Sequence, residues 1–330
     1  MSVPLSVLDL AHIAPGRSAG DSIAGSVALA QQAERYGYRR VWYAEHHSMP
    51  TIASSAPAVL IAHVAAHTGS IRLGAGGVML PNHSPLTIAE QFGTLDAMHP
   101  GRIDLGLGRA PGSDERTTYA LRRDPSSAES FPQDVQELRA YLAGESRVPG
   151  VQAVPGAGSR VPLFILGSSL FGAKLAAALG LPYAFASHFA PQALEAAVAT
   201  YRREFRPSED LDAPHVIAGV NVVAADTTER AQQAFEHVRR TFAQSLFGRG
   251  RTFTEAEVDA LMSSAAGMHV ESMLSCSAVG TPAQVREQIE EFRRRADADE
   301  LIVAHQARDT EERLRSVELL AEAVELTPAA

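Results

Sequence analysis

The stretch RVWYAEHH, residues 40–47, changes from apolar to titratable side chains within three residues. Its first part, RVWYA (40–44), is typical of a short strand that is buried on both faces, because it shows no apolar/polar alternation. Glu45, His46 and His47 follow at once. A buried strand that ends in titratable groups predicts a functional edge, provided that the rest of the chain builds a sheet around it.

The rest of the chain repeats this pattern. Seven further apolar runs cover residues 5–10, 71–80, 102–108, 161–167, 183–187, 215–225 and 300–304. Segments with helical spacing cover 21–37, 54–67, 84–99, 129–142, 169–180, 191–204, 228–244 and 310–325. Eight buried strands that alternate with helices predict a parallel sheet, closed into a (β/α)8 TIM barrel over residues 1–330 as one domain. A doubly wound open sheet is the alternative.

Local signals fix some of the helix boundaries. Gly37 is a predicted C-terminal stop, and Ser84 is a predicted N-cap that precedes Pro85 at the first helical position. Residues 246–281 do not fit the alternation, and another helix starts near Pro282. We expect 246–281 to be an insertion before strand eight and a candidate active-site lid, since long connections often cover active sites.

Composition limits the class of protein. The chain has 330 residues, 45% of them hydrophobic and 20% charged, and its net charge is 29 − 38 = −9. An acidic protein of this kind is a poor ligand for nucleic acid. The longest apolar stretch, 176–186, is too short to cross a bilayer, and the N-terminal residues do not resemble a signal peptide. With Cys276 as its one cysteine, the chain is expected to be cytoplasmic, without a membrane partner.

Polar and small residues follow the predicted strands. In a (β/α)8 barrel the active site lies at the carboxyl ends of the strands. The residues at those ends are Asp9, Glu45, His46, His47, Ala75, Gly76, Gly77, Gly108, Arg109, Gly167, Ser168, Ser169, His188 and His305. We therefore expect one rim of the barrel to carry the chemistry.

The stretch ILGSSLFGAKLAA, residues 165–177, favours a phosphate site. A strand enters a Gly-Ser-Ser turn and a helix follows directly, so that free backbone N–H groups and two hydroxyls lie together. The alternative is that Ser168 or Ser169 simply caps the helix. Arg109 at another strand end can bind a phosphate or carboxylate through two hydrogen bonds. Its alternative is a salt bridge to Asp114 or Glu115.

The histidines do not predict a metal site. His46, His47, His188 and His305 could supply ligands, but no H-x-H or H-E-x-x-H spacing is present. Adjacent residues of an extended segment also point in different directions. We expect one of His46 and His47 to face the site and the other to pack or cap.

Four stretches together resemble the bacterial luciferase-like flavin-dependent monooxygenases, in the single-chain, luciferase-related branch. They are VWYAEHH (41–47), LGAGGVMLPNHSPLTIAEQFGTLDAMHPGRIDLGLGRAPG (73–112), ILGSSLFGAKLAAALGLPYAFASHFAP (165–191) and ADELIVAHQARDTEERLRSVELLAE (298–322). The resemblance implies a barrel that binds reduced FMN at its C-terminal mouth. Reaction with O2 would give a flavin C4a-hydroperoxide that oxygenates a small organic substrate.

The resemblance also implies partners. A separate flavin reductase would supply reduced FMN, since the chain shows no convincing nicotinamide motif. A homodimer is implied because the second and third helices pack across a two-fold axis in the family, and the helix at 54–69 is small and apolar over much of its circumference. The alternatives are a flavin- or deazaflavin-dependent reductase or dehydrogenase on the same barrel, and a non-catalytic flavin-binding protein.

The resemblance assigns roles residue by residue. His46 corresponds to an acid/base histidine, and Gly76–Gly77 to a non-proline cis peptide under the isoalloxazine ring. Arg109 and Ser168 correspond to residues that bind the flavin phosphate. The full predicted cofactor set is Ala75, Gly76, Gly77, Arg109, Gly167, Ser168 and Ser169.

The sequence departs from the luciferase pattern at three positions. Gly108 stands where luciferase has a reactive cysteine, Phe171 where it has a phosphate-binding threonine, and Gly167 where it has a glutamate. The phosphate would therefore depend more on backbone N–H groups and on Arg109.

Overall fold

Eight parallel strands close into a barrel in the computed structural model, which describes residues 3–110, 115–248 and 251–327. The strands are β1 (Leu5–Asp9), β2 (Arg40–Tyr43), β3 (Arg72–Met79), β4 (Ile103–Gly108), β5 (Leu163–Gly167), β6 (Tyr183–Phe185), β7 (Val216–Ala224), β8 (Ser277–Gly280) and β9 (Glu300–His305). Strands β1 to β7 pair in sequence order, and β9 pairs with both β7 and β1. This closure confirms the predicted (β/α)8 barrel and excludes the open sheet.

Helices cover the outside of the barrel. They are α1 (Ala19–Tyr36), α2 (Pro57–Ala65), α3 (Pro85–Met98), α4 (Glu115–Ala120), α5 (Phe131–Ala143), α6 (Leu170–Leu179), α7 (Leu194–Glu204), α8 (Thr228–Gly248), α9 (Glu255–Met262), α10 (Ala265–Met273), α11 (Pro282–Ala296) and α12 (Thr310–Ala323). Gly37 ends α1 in the left-handed region at φ 85°, and the Ser84 hydroxyl accepts a hydrogen bond from the Thr87 N–H. Both predicted boundaries are confirmed. None of the helices in the described ranges combines the length and apolarity that crossing a membrane requires.

Alternate residues of each strand enter two different cores. In β2, Val41 and Tyr43 pack outward against the helices, whereas Trp42 faces the barrel axis together with Ala44, the residue that follows the strand. The inner cluster is completed by Leu8, Phe164, Ala184, Ile217 and Ile302. Because both faces are buried, the strands read as continuous apolar runs.

Charged residues fill the amino-terminal end of the barrel. The Arg40 guanidinium, at the start of β2, donates to Asp104 Oδ2 at 2.7 Å and to Glu300 Oε2 at 3.2 Å. Its Cζ also lies 5.1 Å from the centre of the Phe164 ring. This buried cluster of paired charges closes the amino-terminal end of the barrel, which we call the floor. The functional opening is therefore at the carboxyl ends of the strands, which we call the mouth.

The segment 246–281 adds a ninth strand to the sheet. After α8 come two short helices, α9 and α10, and then β8 pairs in parallel with Asn221–Ala224, the second half of β7. An apolar cluster that includes Ala243, Val270 and Leu274 holds the helices on α8. Strand β8 lies outside the closed barrel. The insertion before the eighth barrel strand is therefore folded in the part that the structure describes. Residues 249–250 lie outside the described ranges.

Candidate active site

His46 and His47 follow the end of β2 and make different contacts. His47 Nε2 donates to Glu45 Oε1 at 2.9 Å. The His46 N–H donates to the Ser54 carbonyl at 3.1 Å. Desolvation is the largest cause of the lowered pKa of both His12 and His188, and the charge of His46 contributes to the lowering of both.

His188 is a neutral histidine at the mouth. Desolvation, with a smaller contribution from His46, lowers the pKa of His188 to about 4. Its Nδ1 is buried and has no hydrogen-bond partner within the described residues. The ring lies against the β7 backbone, where a Cβ at Gly219 would be 2.5 Å from Nδ1. His188 thus offers the site an unprotonated imidazole throughout the physiological pH range.

His12 completes the group of histidines. Its side chain is exposed, yet desolvation is the largest cause of its lowered pKa. An exposed ring that is still partly desolvated lies in a concavity, surrounded by protein at longer range. His12 follows β1, His46 follows β2 and His188 follows β6. The three imidazoles therefore follow three different strands, and His46 influences the pKa of the other two.

Bare backbone forms part of the mouth at the end of β3. The Gly76–Gly77 peptide is cis. A Cβ at Gly76 would lie 2.8 Å from Trp42 Cβ, and one at Gly77 would lie 2.8 Å from the Gly106 carbonyl oxygen. Ala75 packs into the outer core and offers the mouth only its backbone. Both glycines are therefore needed for close packing against the neighbouring strands, and only Gly76 is partly exposed, since Gly77 is buried.

The start of α6 has the features of an anion site. Ser169 is the N-cap residue, but its side chain bonds no helix N–H, so it does not act as the predicted cap. Ser168 beside it is exposed. The Arg109 Cζ lies 4.0 Å from the centre of the Phe171 ring in the first turn of α6. A guanidinium, two hydroxyls and open N–H groups therefore lie together.

Arg109 carries no balancing charge in the described part of the chain. No salt bridge joins it to a described carboxylate, Glu115 included. Asp114, its other sequence-predicted partner, lies outside the described residues. The turn itself is fixed, since the Tyr183 hydroxyl donates to the Ser169 carbonyl at 3.0 Å. Packing does not require a glycine at position 167, because a Cβ there would lie 3.6 Å from both the Gly172 Cα and the Tyr183 hydroxyl, at ordinary contact distance.

The Met79 side chain lies beside Gly108 at the end of β4, where the resemblance to luciferase would place a cysteine. A Cβ at this position would lie 2.9 Å from the Met79 sulfur. The methionine from the neighbouring strand therefore occupies space that a cysteine at position 108 would need.

Two residues that the sequence analysis placed on the rim turn away from the mouth. Asp9 Oδ1 accepts a hydrogen bond from Arg313 Nη1 at 2.7 Å, and its Oδ2 accepts one from Ser26 at 2.5 Å. His305 Nδ1 lies 2.9 Å from Ser316 Oγ, beneath α12. Strand periodicity explains this, because alternate residues near a strand end face the helices.

Sequence reasoning missed His83. This residue follows β3, just before the N-cap of α3, and its Nε2 donates to Glu45 Oε1 at 2.8 Å. A polar residue after a strand was the available signal. Ligand-type atoms of Glu45, His47 and His83 all lie within 4.8 Å of one another, a group of the kind that can hold a metal ion. The two N–H···O bonds to one carboxylate oxygen already account for their arrangement.

The chain is similar to known proteins over nearly its whole length. The family model described as luciferase-like monooxygenase matches residues 3–299. A luciferase-like monooxygenase of Escherichia coli is 47% identical over 321 residues, which cover 96% of each chain. An N-acetyl-S-alkylcysteine monooxygenase of Bacillus subtilis is 41% identical over 189 residues, covering 56% of this chain and 57% of its own. The crystal structure of apo-MsnO8 superimposes with a TM-score of 0.90 at 39% identity, covering 99% of this chain and 100% of its own.

Proposed function

Because the chain belongs to the luciferase-like monooxygenase family, we propose that it is the oxygenase of a two-component system that uses reduced FMN and O2. One observation carries the proposal. His46 lies after β2, Gly76–Gly77 lie in the second half of β3, and Arg109 and Ser168 follow β4 and β5; these four strands are consecutive neighbours in the barrel. This arrangement supports an acid/base group, a flavin-facing backbone and an anion site on one arc of the mouth.

The residues of this arc fit FMN. The phosphate would lie at the start of α6, held by Arg109 and the hydroxyls of Ser168 and Ser169, with Gly167 keeping the backbone close. The ring system would lie against the β3 backbone at Gly76, which is partly exposed. Reduced FMN, when bound, supplies the electrons for the activation of O2.

His46 is the proposed acid/base residue. It is partly buried, and its charge contributes to the lowered pKa of two other histidines. Imidazole can hold or release a proton near neutral pH, which suits proton transfer beside the bound cofactor. His188 would remain neutral and would not compete as a proton donor, since its pKa is lowered to about 4.

The protein is expected to depend on partners. The stretch GLGRAPG (106–112) lacks the third glycine of a dinucleotide fingerprint, so a separate flavin reductase is the proposed source of electrons. We also propose a homodimer through the outer face of α2, where Val59 is 71% exposed. Residues 246–281 are proposed to wall the mouth near β6, where the Gln192 side-chain amide donates to Ser272 Oγ at 3.5 Å.

Isotope incorporation tests the oxygenase proposal. The protein, a flavin reductase, NADH and FMN would be incubated under ¹⁸O2 with a small thioether such as an N-acetyl-S-alkylcysteine, and separately with a long-chain aldehyde. Mass spectrometry should find one ¹⁸O atom in the product of at least one substrate. Turnover under nitrogen, or turnover with reduced F420 but not with FMN, would contradict the proposal and favour hydride transfer.

A further inference from the structure

One carboxylate connects two of the elements that form the mouth. The Glu45 side chain is 0% exposed. Its Oε1 accepts hydrogen bonds from His47 Nε2 and His83 Nε2, at 2.9 and 2.8 Å, and its Oε2 accepts one from the Met79 N–H at 3.1 Å. His47 belongs to the segment that carries His46, and Met79 ends the strand that carries Gly76–Gly77.

The contacts to Glu45 restrain the backbone that carries His46. The bond between Glu45 and His47 joins the residues on both sides of His46, so it limits the directions in which the His46 side chain can project. The backbone of His46 is also held, since its N–H donates to the Ser54 carbonyl. The bond to Met79 then sets the distance between this segment and the end of β3.

We propose that Glu45 is a positioning residue, whose buried carboxylate fixes the segment that carries His46 relative to β3, the strand that carries Gly76–Gly77. The inference rests on the proposed function for the role of His46, and it deepens that role. Glu45 itself does not touch the substrate or the cofactor.

The chemistry of the contacts requires a carboxylate at this position. A fourth contact comes from the Asn82 side-chain amide, which donates to Oε1 at 3.4 Å. All four partners donate, and an ionised carboxylate accepts at both oxygens. Burial alone would raise the pKa of Glu45, yet hydrogen bonds from His83, His47 and the Met79 N–H hold the pKa below its usual range. A glutamine would keep the size but place an NH2 group against one of these donors, which would separate the elements that Glu45 joins.

The experiment compares two buried carboxylates of the same type. Glu45→Gln changes the proposed positioning residue. Glu300→Gln is the matched control, because Glu300 is also 0% exposed and accepts hydrogen bonds, but lies at the floor of the barrel. Three properties are measured: kcat and KM for the reaction that incorporates ¹⁸O, thermal stability, and the pH titration of ¹⁵N-labelled histidines by NMR. The His46→Gln variant identifies the NMR signals of His46.

In Glu45→Gln we expect kcat to fall by about 10- to 100-fold, the loss typical of a displaced catalytic group. KM for FMN should change less than twofold, and the ¹⁵N shifts and titration midpoint of His46 should move. Glu300→Gln should lower thermal stability but leave the His46 titration in place. If Glu45→Gln does not fold, His83→Ala removes one of the four contacts and should shift the His46 signals in the same direction.

Unchanged His46 signals in a folded Glu45→Gln or His83→Ala protein would overturn the inference, as would an equal change in Glu300→Gln. The NMR readout does not depend on turnover. If wild-type protein incorporates no ¹⁸O but Glu45→Gln still moves the His46 signals, the proposed function fails and the positioning role stands.

Discussion

At the scale of single residues, Arg109 is the feature that most needs a ligand. Its guanidinium stacks on Phe171 at 4.0 Å and makes no salt bridge in the described ranges. Stacking leaves the N–H groups at the edge of the guanidinium available for an anion. An exposed arginine beside open helix N–H groups is therefore preorganised for a phosphate.

Arg109→Ala should weaken the binding of reduced FMN by about 10- to 100-fold, which corresponds to one hydrogen-bonded charge at roughly 1.5–3 kcal/mol. Binding of reduced riboflavin, which lacks the phosphate, should change little. Anaerobic titration followed by flavin fluorescence measures both.

Arg251→Ala is the matched control for Arg109→Ala, because Arg251 is also an exposed arginine stacked on a phenylalanine, with its Cζ 4.9 Å from the Phe253 ring centre. It should not change either affinity. Equal losses for FMN and riboflavin in Arg109→Ala would show that the arginine does not bind the phosphate.

At the scale of elements, apolar runs predicted all eight barrel strands because each is buried on both faces. They did not predict β8, whose residues Ser277–Gly280 are small and half-buried and gain their order by pairing with β7. Strand ends also predicted which residues meet at one rim. They could not predict that Asp9 and His305 turn toward helices or that His83 approaches Glu45, since such contacts depend on strand register and loop path.

We expect apolar packing to hold the helices of the insertion, α9 and α10, against α8. Leu274 is buried in the cluster that joins the insertion to α8. Leu274→Ala should cost about 2–3 kcal/mol locally and speed amide exchange in α9 and α10, but not in the barrel strands. Hydrogen–deuterium exchange with mass spectrometry measures this.

Met268→Ala, on the same helix α10, removes a side chain that is 65% exposed and should leave exchange unchanged. If both variants behave alike, the contact between the insertion and α8 does not depend on this packing.

At the scale of the whole molecule, the outer face of α2 tests the proposed homodimer. Leu60, Ile61, Val64 and Ala65 pack inward, whereas Val59 is exposed. Val59→Asp would place a charge in an apolar interface and should convert a dimer to a monomer at low micromolar concentration in sedimentation velocity. Val148→Asp, at an exposed valine between α5 and β5, is the control. A monomeric wild-type protein would exclude the dimer.

The fold as a whole should lose stability in mild acid because it contains neutral histidines. Desolvation lowers the pKa of His305 to about 3 and that of His188 to about 4. In the unfolded chain both would take up a proton near pH 6.5. Between pH 6.5 and pH 4 the unfolded state therefore binds more protons, so stability falls as the pH falls, by about 1.4 kcal/mol per pH unit for each histidine.

His305→Asn tests this origin of acid sensitivity directly. Asparagine can still hydrogen-bond to Ser316 but does not titrate, so the variant should lose about 1.4 kcal/mol per pH unit of the slope below pH 6.5. Urea unfolding at pH 7, 6 and 5 measures that slope, and His269→Asn, at an exposed histidine on α10, should retain it. Glu300 adds a second pH range, below that of the histidines, in which stability falls. Burial would raise the pKa of Glu300, but the hydrogen bond from His215, the charge of Arg40 and the hydrogen bond from Ser6 lower it. Its contribution is present above the unfolded pKa and is lost as the pH falls through the folded one, which is below the range of the histidines. An unchanged slope between pH 6.5 and 5 in His305→Asn would therefore show that His305 does not contribute to the acid sensitivity.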